Sequence, residues 1–193
     1  MELSMAPKTE PHQKKRQKYV SLYMTTLITR RITLPITAIG KNIKETIEKV
    51  IRKNIEGKCI VEGFIKPEST KILTYSSGMV SGNNIVFEVV FECLVASPVE
   101  GMHIKCIAKN ITQAGIRALT DEDVSPVVVY VSRDHHYANA YFASIKEDED
   151  ITVRVIGQRF ELNDKFISVI GELIEPRAEK VKIKKKPKLI LKT

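Results

Sequence analysis

The sequence predicts an α+β unit, an antiparallel sheet with one helix, followed by an all-β barrel. Three observations carry this. A single amphipathic helical period occurs, within residues 40–57, and strand-like runs flank it. Residues 85–95 alternate so that one face is wholly apolar. After the junction Ser97-Pro98-Val99-Glu100-Gly101, five strand-like runs follow with no helical period among them. At 193 residues the chain is long enough for one ordinary domain or two small ones, and 43% hydrophobic content supports a packed core.

Residues 19–36 are rich in β-branched and aromatic side chains and read as extended, with Pro35 closing the run. In the helix, Ile43, Ile47, Val50, Ile51 and Ile55 fall on one face. Asn42 is the expected N-cap, with Glu45 completing a capping-box-like pair, and Gly57 suits the C-terminal end. From Cys59 the period drops to two: CIVEGFIKP reads as one short strand. Residues 66–84 read as a loop that carries unusually many apolar groups, among them Ile72, Leu73, Met79 and Val80. Such a loop either adds a minor piece of core or inserts into a partner. In 85–95 the apolar face is Ile85, Phe87, Val89, Phe91, Cys93 and Val95; the other face includes Glu88 and Glu92.

The later runs are IKCIAKNI, GIRAL, VVVYV, ITVRVIGQRFEL and KFISVIGELIE. Five strands of this length suit a small closed Greek-key barrel of OB type. Residues 132–150, SRDHHYANAYFASIKEDED, read as an irregular insert ending in acid.

The net charge of +8 is concentrated at the ends. Residues 1–18 hold five basic and two acidic side chains, residues 176–193 eight and one, and the span between them is slightly acidic. The first segment reads as a disordered extension. The second, a basic tail with Lys182, Lys184, Lys185, Lys186 and Lys188, suits phosphate or an acidic partner. Its Val181, Ile183, Leu189, Ile190 and Leu191 are too apolar for a purely solvating tail, so part of it is expected to dock. The N-terminus has no secretory signal and no apolar run reaches the ~18 residues of a membrane span, so an intracellular protein is expected. Cys59, Cys93 and Cys106 have no CxxC spacing and read as reduced structural thiols, not as disulfide partners or zinc ligands.

A catalytic constellation is not legible. His135 and His136 are adjacent, so they diverge and cannot chelate as in HExxH. No nucleophile elbow, GxxxxGK[ST] or GxGxxG occurs, and residues 147–150 are best read as a solvated acidic loop. No cofactor is expected. A binding or assembly module is favoured over an enzyme with an OB appendage.

Several motifs recur in one order: Glu56-Gly57-Lys58-Cys59, Gly63-Phe64-Ile65, Phe87-Glu88-Val89-Val90-Phe91, Pro98-Val99-Glu100-Gly101-Met102, Ala114-Gly115-Ile116, Tyr130-Val131-Ser132-Arg133, Gly157-Gln158-Arg159 and Asn163-Asp164. Over about residues 22–175 the chain thereby resembles the stalk subunit of multisubunit DNA-dependent RNA polymerases, the seventh subunit of RNA polymerase II and its archaeal counterpart. The resemblance implies a non-catalytic subunit with a tip domain at 19–98 and an S1-like OB barrel at 99–175. The tip would dock on the polymerase core near the clamp through Phe64, Ile65, Ile72, Leu73, Met79 and Val80. A small helical partner subunit would complete a stalk heterodimer, and the barrel would touch nascent RNA or initiation factors. The basic ends are longer than in the family, which points to a protist or large-DNA-virus version, acting in the nucleus or, if viral, in the cytoplasmic factory or virion.

Candidate RNA contacts on the barrel are Lys105, Arg117, Tyr130, Arg133, Arg154 and Arg159. S1-like barrels stack bases on aromatics of the second and third strands. Here Arg117 stands where an aromatic is expected and Tyr130 remains, so the expected RNA binding is weak and salt-sensitive. The competing reading is a free-standing S1/OB-fold RNA-binding protein in translation or RNA decay. It has no need of an apolar docking loop.

Overall fold

The computed structural model describes residues 21–122 and 124–176. The expectations for the N-terminal extension, the basic tail and its lysines therefore lie outside the described residues. The chain is mostly β, in two sheets, the second closed into a five-stranded barrel. No helix among the described residues is long and apolar enough to cross a membrane.

The first sheet is built on two 13-residue strands, β1 (Tyr23–Pro35) and β6 (Asn84–Ala96). They pair antiparallel in unbroken register from Tyr23 opposite Ala96 to Pro35 opposite Asn84. The apolar face expected of β6 is the observed inner face: Phe87, Val89, Phe91, Cys93 and Val95 are buried there with Ile28 and Leu34 of β1. Helix α1 (Ile43–Ile55) covers it with Ile47 and Ile51. Deleting a buried aromatic such as Phe91 from so closed a core costs about 3–5 kcal/mol.

The expected capping box does not form. Asn42 makes no side-chain bond to the backbone; its Nδ2 donates to Glu45 Oε1 at 3.3 Å instead. The helix stops at Glu56, and Gly57 follows at φ +70, the left-handed conformation glycine adopts without steric cost.

Two further expectations need correction. CIVEGFIKP is a hairpin, not one strand: β2 (Cys59–Ile60) pairs with β3 (Gly63–Ile65). Gly63 sits at φ +135, and a Cβ there would lie 2.4 Å from the carbonyl oxygen of Ala96, so only glycine lets β3 approach β6 so closely. Residues 66–84 are not an open loop either. They form β4 (Lys71–Tyr75) and β5 (Met79–Ser81), both paired with β6. Gly78 between them lies against Ile85 and Phe87, where a Cβ would meet the Phe87 ring at 2.8 Å. Of the apolar residues in this stretch, Ile72 joins the core.

The barrel comprises β7 (His103–Ile111), β8 (Gly115–Leu119), β9 (Val127–Ser132), β10 (Asp150–Arg159) and β11 (Ile167–Ile174), closed in the order β10-β11-β9-β8-β7. The β9–β11 contact is parallel and the rest antiparallel, which agrees with the OB-type barrel expected from the sequence. Ile151, Val153 and Val155 fill its interior as expected. The insert before β10 is more ordered than it reads. It contains α2 (Ala140–Ser144), whose N-cap Asn139 accepts from the amides of Tyr141 and Phe142 at 2.8 and 3.2 Å. Phe142 of α2, its C-cap Ile145 and His136, stacked on Phe142, are buried.

The sheet and the barrel share apolar packing. Cys59, Phe64 and Ala96 lie in the same buried cluster as the barrel interior. The tip of the β10–β11 hairpin reaches back to β2: Cys59 N–H donates to the Asp164 carbonyl at 2.8 Å, and Asn163 N–H to the Cys59 carbonyl at 2.9 Å.

Candidate partner and nucleic-acid surfaces

The residues expected at the docking tip fall into two groups. Phe64, Ile65 and Ile72 are core residues, no more than 3% exposed. They hold the sheet together and present nothing to a partner. Leu73, Met79 and Val80 are 48%, 70% and 69% exposed. Leu73 stands at a bulge in the β4–β6 pairing, and Met79 and Val80 lie on β5 opposite Val86 and Ile85. The exposed apolar groups are thus carried on β4 and β5, the two short strands that pair along β6.

On the barrel, strand register brings two of the six expected RNA contacts together. Arg117 of β8 lies directly opposite Tyr130 of β9. Opposed side chains in an antiparallel pair stand about 4.5–5.5 Å apart at Cβ, close enough for a guanidinium and a phenol to form one platform. Ile170 of β11 continues the row beside Tyr130. Tyr130 and Ile170 are 41% and 55% exposed, so the row is open to solvent. Sequence reasoning misses Ile170, because its place beside Tyr130 depends on a parallel pairing that no local pattern encodes.

The other four lie apart from this row. Arg133 is exposed but engaged locally: its Nη2 donates to the Thr112 carbonyl at 3.1 Å, and its guanidinium lies 5.4 Å from the Phe142 ring centroid. It fastens the β7–β8 turn to α2. Arg154 is paired with Glu172 and stands opposite His103 on the β7–β10 wall. Lys105 lies on that same wall opposite Thr152, in a depression with Asp121 and Asp150. Arg159 reaches Glu161 at 3.4 Å and is highly exposed, so that pair holds it loosely.

A cleft of about 700 Å³ opens between the sheet and the barrel, lined by Tyr23, Lys66 and Glu68 on one side and Asp121 and Glu122 on the other. The Lys66 ammonium lies 4.9 Å from the centre of the Tyr23 ring. Burial, and then the charge and hydrogen bond of Glu122, raise the Tyr23 pKa, so this phenol stays protonated.

No group of three or more metal-ligating side chains occurs among the described residues. All three cysteines are free and buried. Burial raises their thiols to about 11 for Cys59 and Cys93 and about 12 for Cys106, with nearby carboxylates adding to the effect. Thiols so protonated are poor nucleophiles. His136 is held by two backbone groups: Nδ1 donates to the Ser132 carbonyl at 2.8 Å, and Nε2 accepts from Leu173 N–H at 3.0 Å. Both ring nitrogens are engaged in structure, while His135 next to it is exposed.

No protein-family model matches the chain. Two curated relatives do. One is a protein of Acanthamoeba polyphaga mimivirus, named provisionally as a DNA-directed RNA polymerase subunit, 25% identical over 148 residues covering 67% of this chain and 72% of the relative. The other is DNA-directed RNA polymerase II subunit 7 of Arabidopsis thaliana, 20% identical over 158 residues covering 69% of this chain and 88% of the relative. The resemblance carried by the ordered motifs therefore extends to named proteins of a giant virus and a plant, and this chain is similar to DNA-directed RNA polymerase subunits, among them subunit 7 of RNA polymerase II.

Proposed function

We propose that this protein is a non-catalytic stalk subunit of a DNA-dependent RNA polymerase. The observation that carries the reading is the pairing of a helix-covered sheet with an OB-type barrel, in a chain whose similarity spans 88% of RNA polymerase II subunit 7. In this reading residues 19–98 form the tip domain and 99–175 an S1-like barrel. The tip docks on the polymerase core through Leu73, Met79 and Val80, the exposed members of the expected set. The barrel touches emerging RNA through Arg117 and Tyr130, with Ile170 extending the stacking row. A small helical subunit completes the stalk. The site of action is the nucleus, or the viral factory if the chain is viral.

Affinity purification of the tagged chain from its native source in moderately high salt, with mass spectrometry of what stays bound, tests this. Large polymerase subunits with one small helical partner are the expected result. Ribosomal or RNA-decay factors without polymerase would replace the proposal with a free-standing RNA-binding protein that uses the same barrel row.

A further inference from the structure

We propose that the outer row of the barrel reads the base it stacks, preferring guanine to adenine, with Arg117 as the specificity-determining residue. The proposal rests on the barrel's contact with single-stranded RNA and gives that contact a base preference.

Strand register carries the row across the whole barrel. Asn110 of β7 stands opposite Arg117 of β8, and Arg117 opposite Tyr130 of β9. Tyr130 lies beside Ile170 of β11, and Ile170 opposite Gly157 of β10. Asn110, Tyr130 and Ile170 are exposed and Arg117 is half-buried, so the row lies on the outer surface. Its chemistry is lopsided. Asn110 and Arg117 put polar groups on one side of the Tyr130 ring, whereas Ile170 and the bare Gly157 offer none on the other. A base stacked on Tyr130 therefore gains side-chain hydrogen bonds only when its polar edge faces Arg117.

The arginine decides which edge fits. A guanidinium holds its donors in a fixed fork and has no acceptor. Guanine meets it with two acceptors side by side, O6 and N7, whereas adenine presents a donor, its N6 amino group, beside N7. The two purines share one ring system, so the edge decides between them. The fork is also available. Arg133 bonds the Thr112 carbonyl, Lys109 the Asp148 carboxylate and Arg154 Glu172. Among the described residues the Arg117 guanidinium has no hydrogen-bond or ion-pair partner. Glu172, two residues along β11 from Ile170, is already held by Arg154 and leaves the row without a competing carboxylate.

Fluorescence anisotropy of the full chain at one salt concentration tests this, with uridine octamers that carry a single central guanosine or adenosine. Both oligomers have the same phosphates, so the net positive charge of the chain acts on them equally. The guanosine oligomer should bind roughly five- to tenfold more tightly, the low end for a bidentate contact because the row is open to solvent. Arg117→Gln exchanges the fork for a donor beside an acceptor, the pattern that suits adenine, and should reverse the preference. Arg117→Lys keeps donors only and should leave guanosine ahead. A role through charge alone would instead weaken both oligomers alike in Arg117→Gln. That result, or equal binding of the two oligomers by the parent chain, overturns the base preference and leaves the RNA contact standing. Binding of neither oligomer overturns both.

Discussion

The amide of Asn163 donates to the carbonyl of Cys59 at 2.9 Å, tying the far end of the barrel hairpin to the first hairpin of the sheet. Asn163 adopts φ +69, a left-handed conformation that Asn and Gly tolerate and β-branched residues do not. Asn163→Val should therefore cost about 1–2 kcal/mol, whereas Asn163→Gly should keep the fold. Because Cys59, Phe64 and Ala96 share a core with the barrel, the loss should appear in both halves together. Urea unfolding followed by hydrogen exchange of residues 59–65 and 167–173 checks this: separate transitions would mean that the bridge couples nothing.

His136 is buried with both nitrogens bonded to backbone, stacked on Phe142 at 5.4 Å between ring centroids. His136→Phe keeps the aromatic packing but leaves the Leu173 amide and the Ser132 carbonyl without partners. The expected cost is about 1–3 kcal/mol per group, seen as a lower thermal midpoint. His135→Phe, at an exposed position, should leave the midpoint unchanged, a contrast that a general loss of histidine would not produce.

What is legible in the sequence follows the range over which each signal acts. Helix α1, the apolar face of β6 and the five barrel strands are written in local periodicity, and each appears where the period places it. Residues 66–84 read as a loop because Ser76, Ser77 and Gly78 carry turn chemistry, while their pairing depends on β6. Ser76 N–H donates to the Glu88 carbonyl, and Glu88 N–H to Ser76 Oγ, which stitches the apparent loop onto the strand. Phe64, Ile65 and Ile72 read as a docking surface for a related reason: apolar character alone does not separate core from tip. Arg117 and Tyr130 can be placed on their strands from local pattern, but their cross-strand pairing and the addition of Ile170 depend on register.

That row makes a graded prediction for RNA. Tyr130→Ala should weaken single-stranded RNA binding by about 1–3 kcal/mol, since a stacked base loses its platform, and Tyr130→Phe should retain it. Arg117→Ala should both weaken binding and flatten its salt dependence. Arg154→Ala, on the wall paired with Glu172, should do neither. Fluorescence anisotropy across a salt series on the chain ending at Pro176 separates these effects from those of the tail. Equal losses at all three positions would show that charge, not the row, governs binding.

The three thiols set an alkaline limit. Their ordinary pKa of 9.0 is raised to about 11, 11 and 12 in the folded protein. Above pH 9 the unfolded chain loses these protons first, so the unfolded state is favoured as pH rises. The thiols' contribution to stability should be fully present below pH 9 and fall between pH 9 and 11–12, with Tyr23 adding to the fall at the upper end. Urea midpoints measured at pH 8 and at pH 10.5 check the sign. Alkylation by iodoacetamide at pH 8 should stay slow until the chain is unfolded.

The exposed residues of β4 and β5 yield the sharpest test of docking, provided core and surface are kept apart. Ile72→Asp would bury a charge at a position 3% exposed and should unfold the sheet, so loss of association in that variant would say nothing about a partner. Leu73→Asp combined with Met79→Asp changes side chains that are 48% and 70% exposed, and should leave the stability within about 1 kcal/mol of the parent. If these groups dock, burying two carboxylates at the interface should abolish co-purification of the large polymerase subunits. Leu73→Ala with Met79→Ala should weaken co-purification without abolishing it, because truncation removes contact area and introduces no charge. Full retention in the Asp variant, with the fold intact, would place the docking surface elsewhere on the chain.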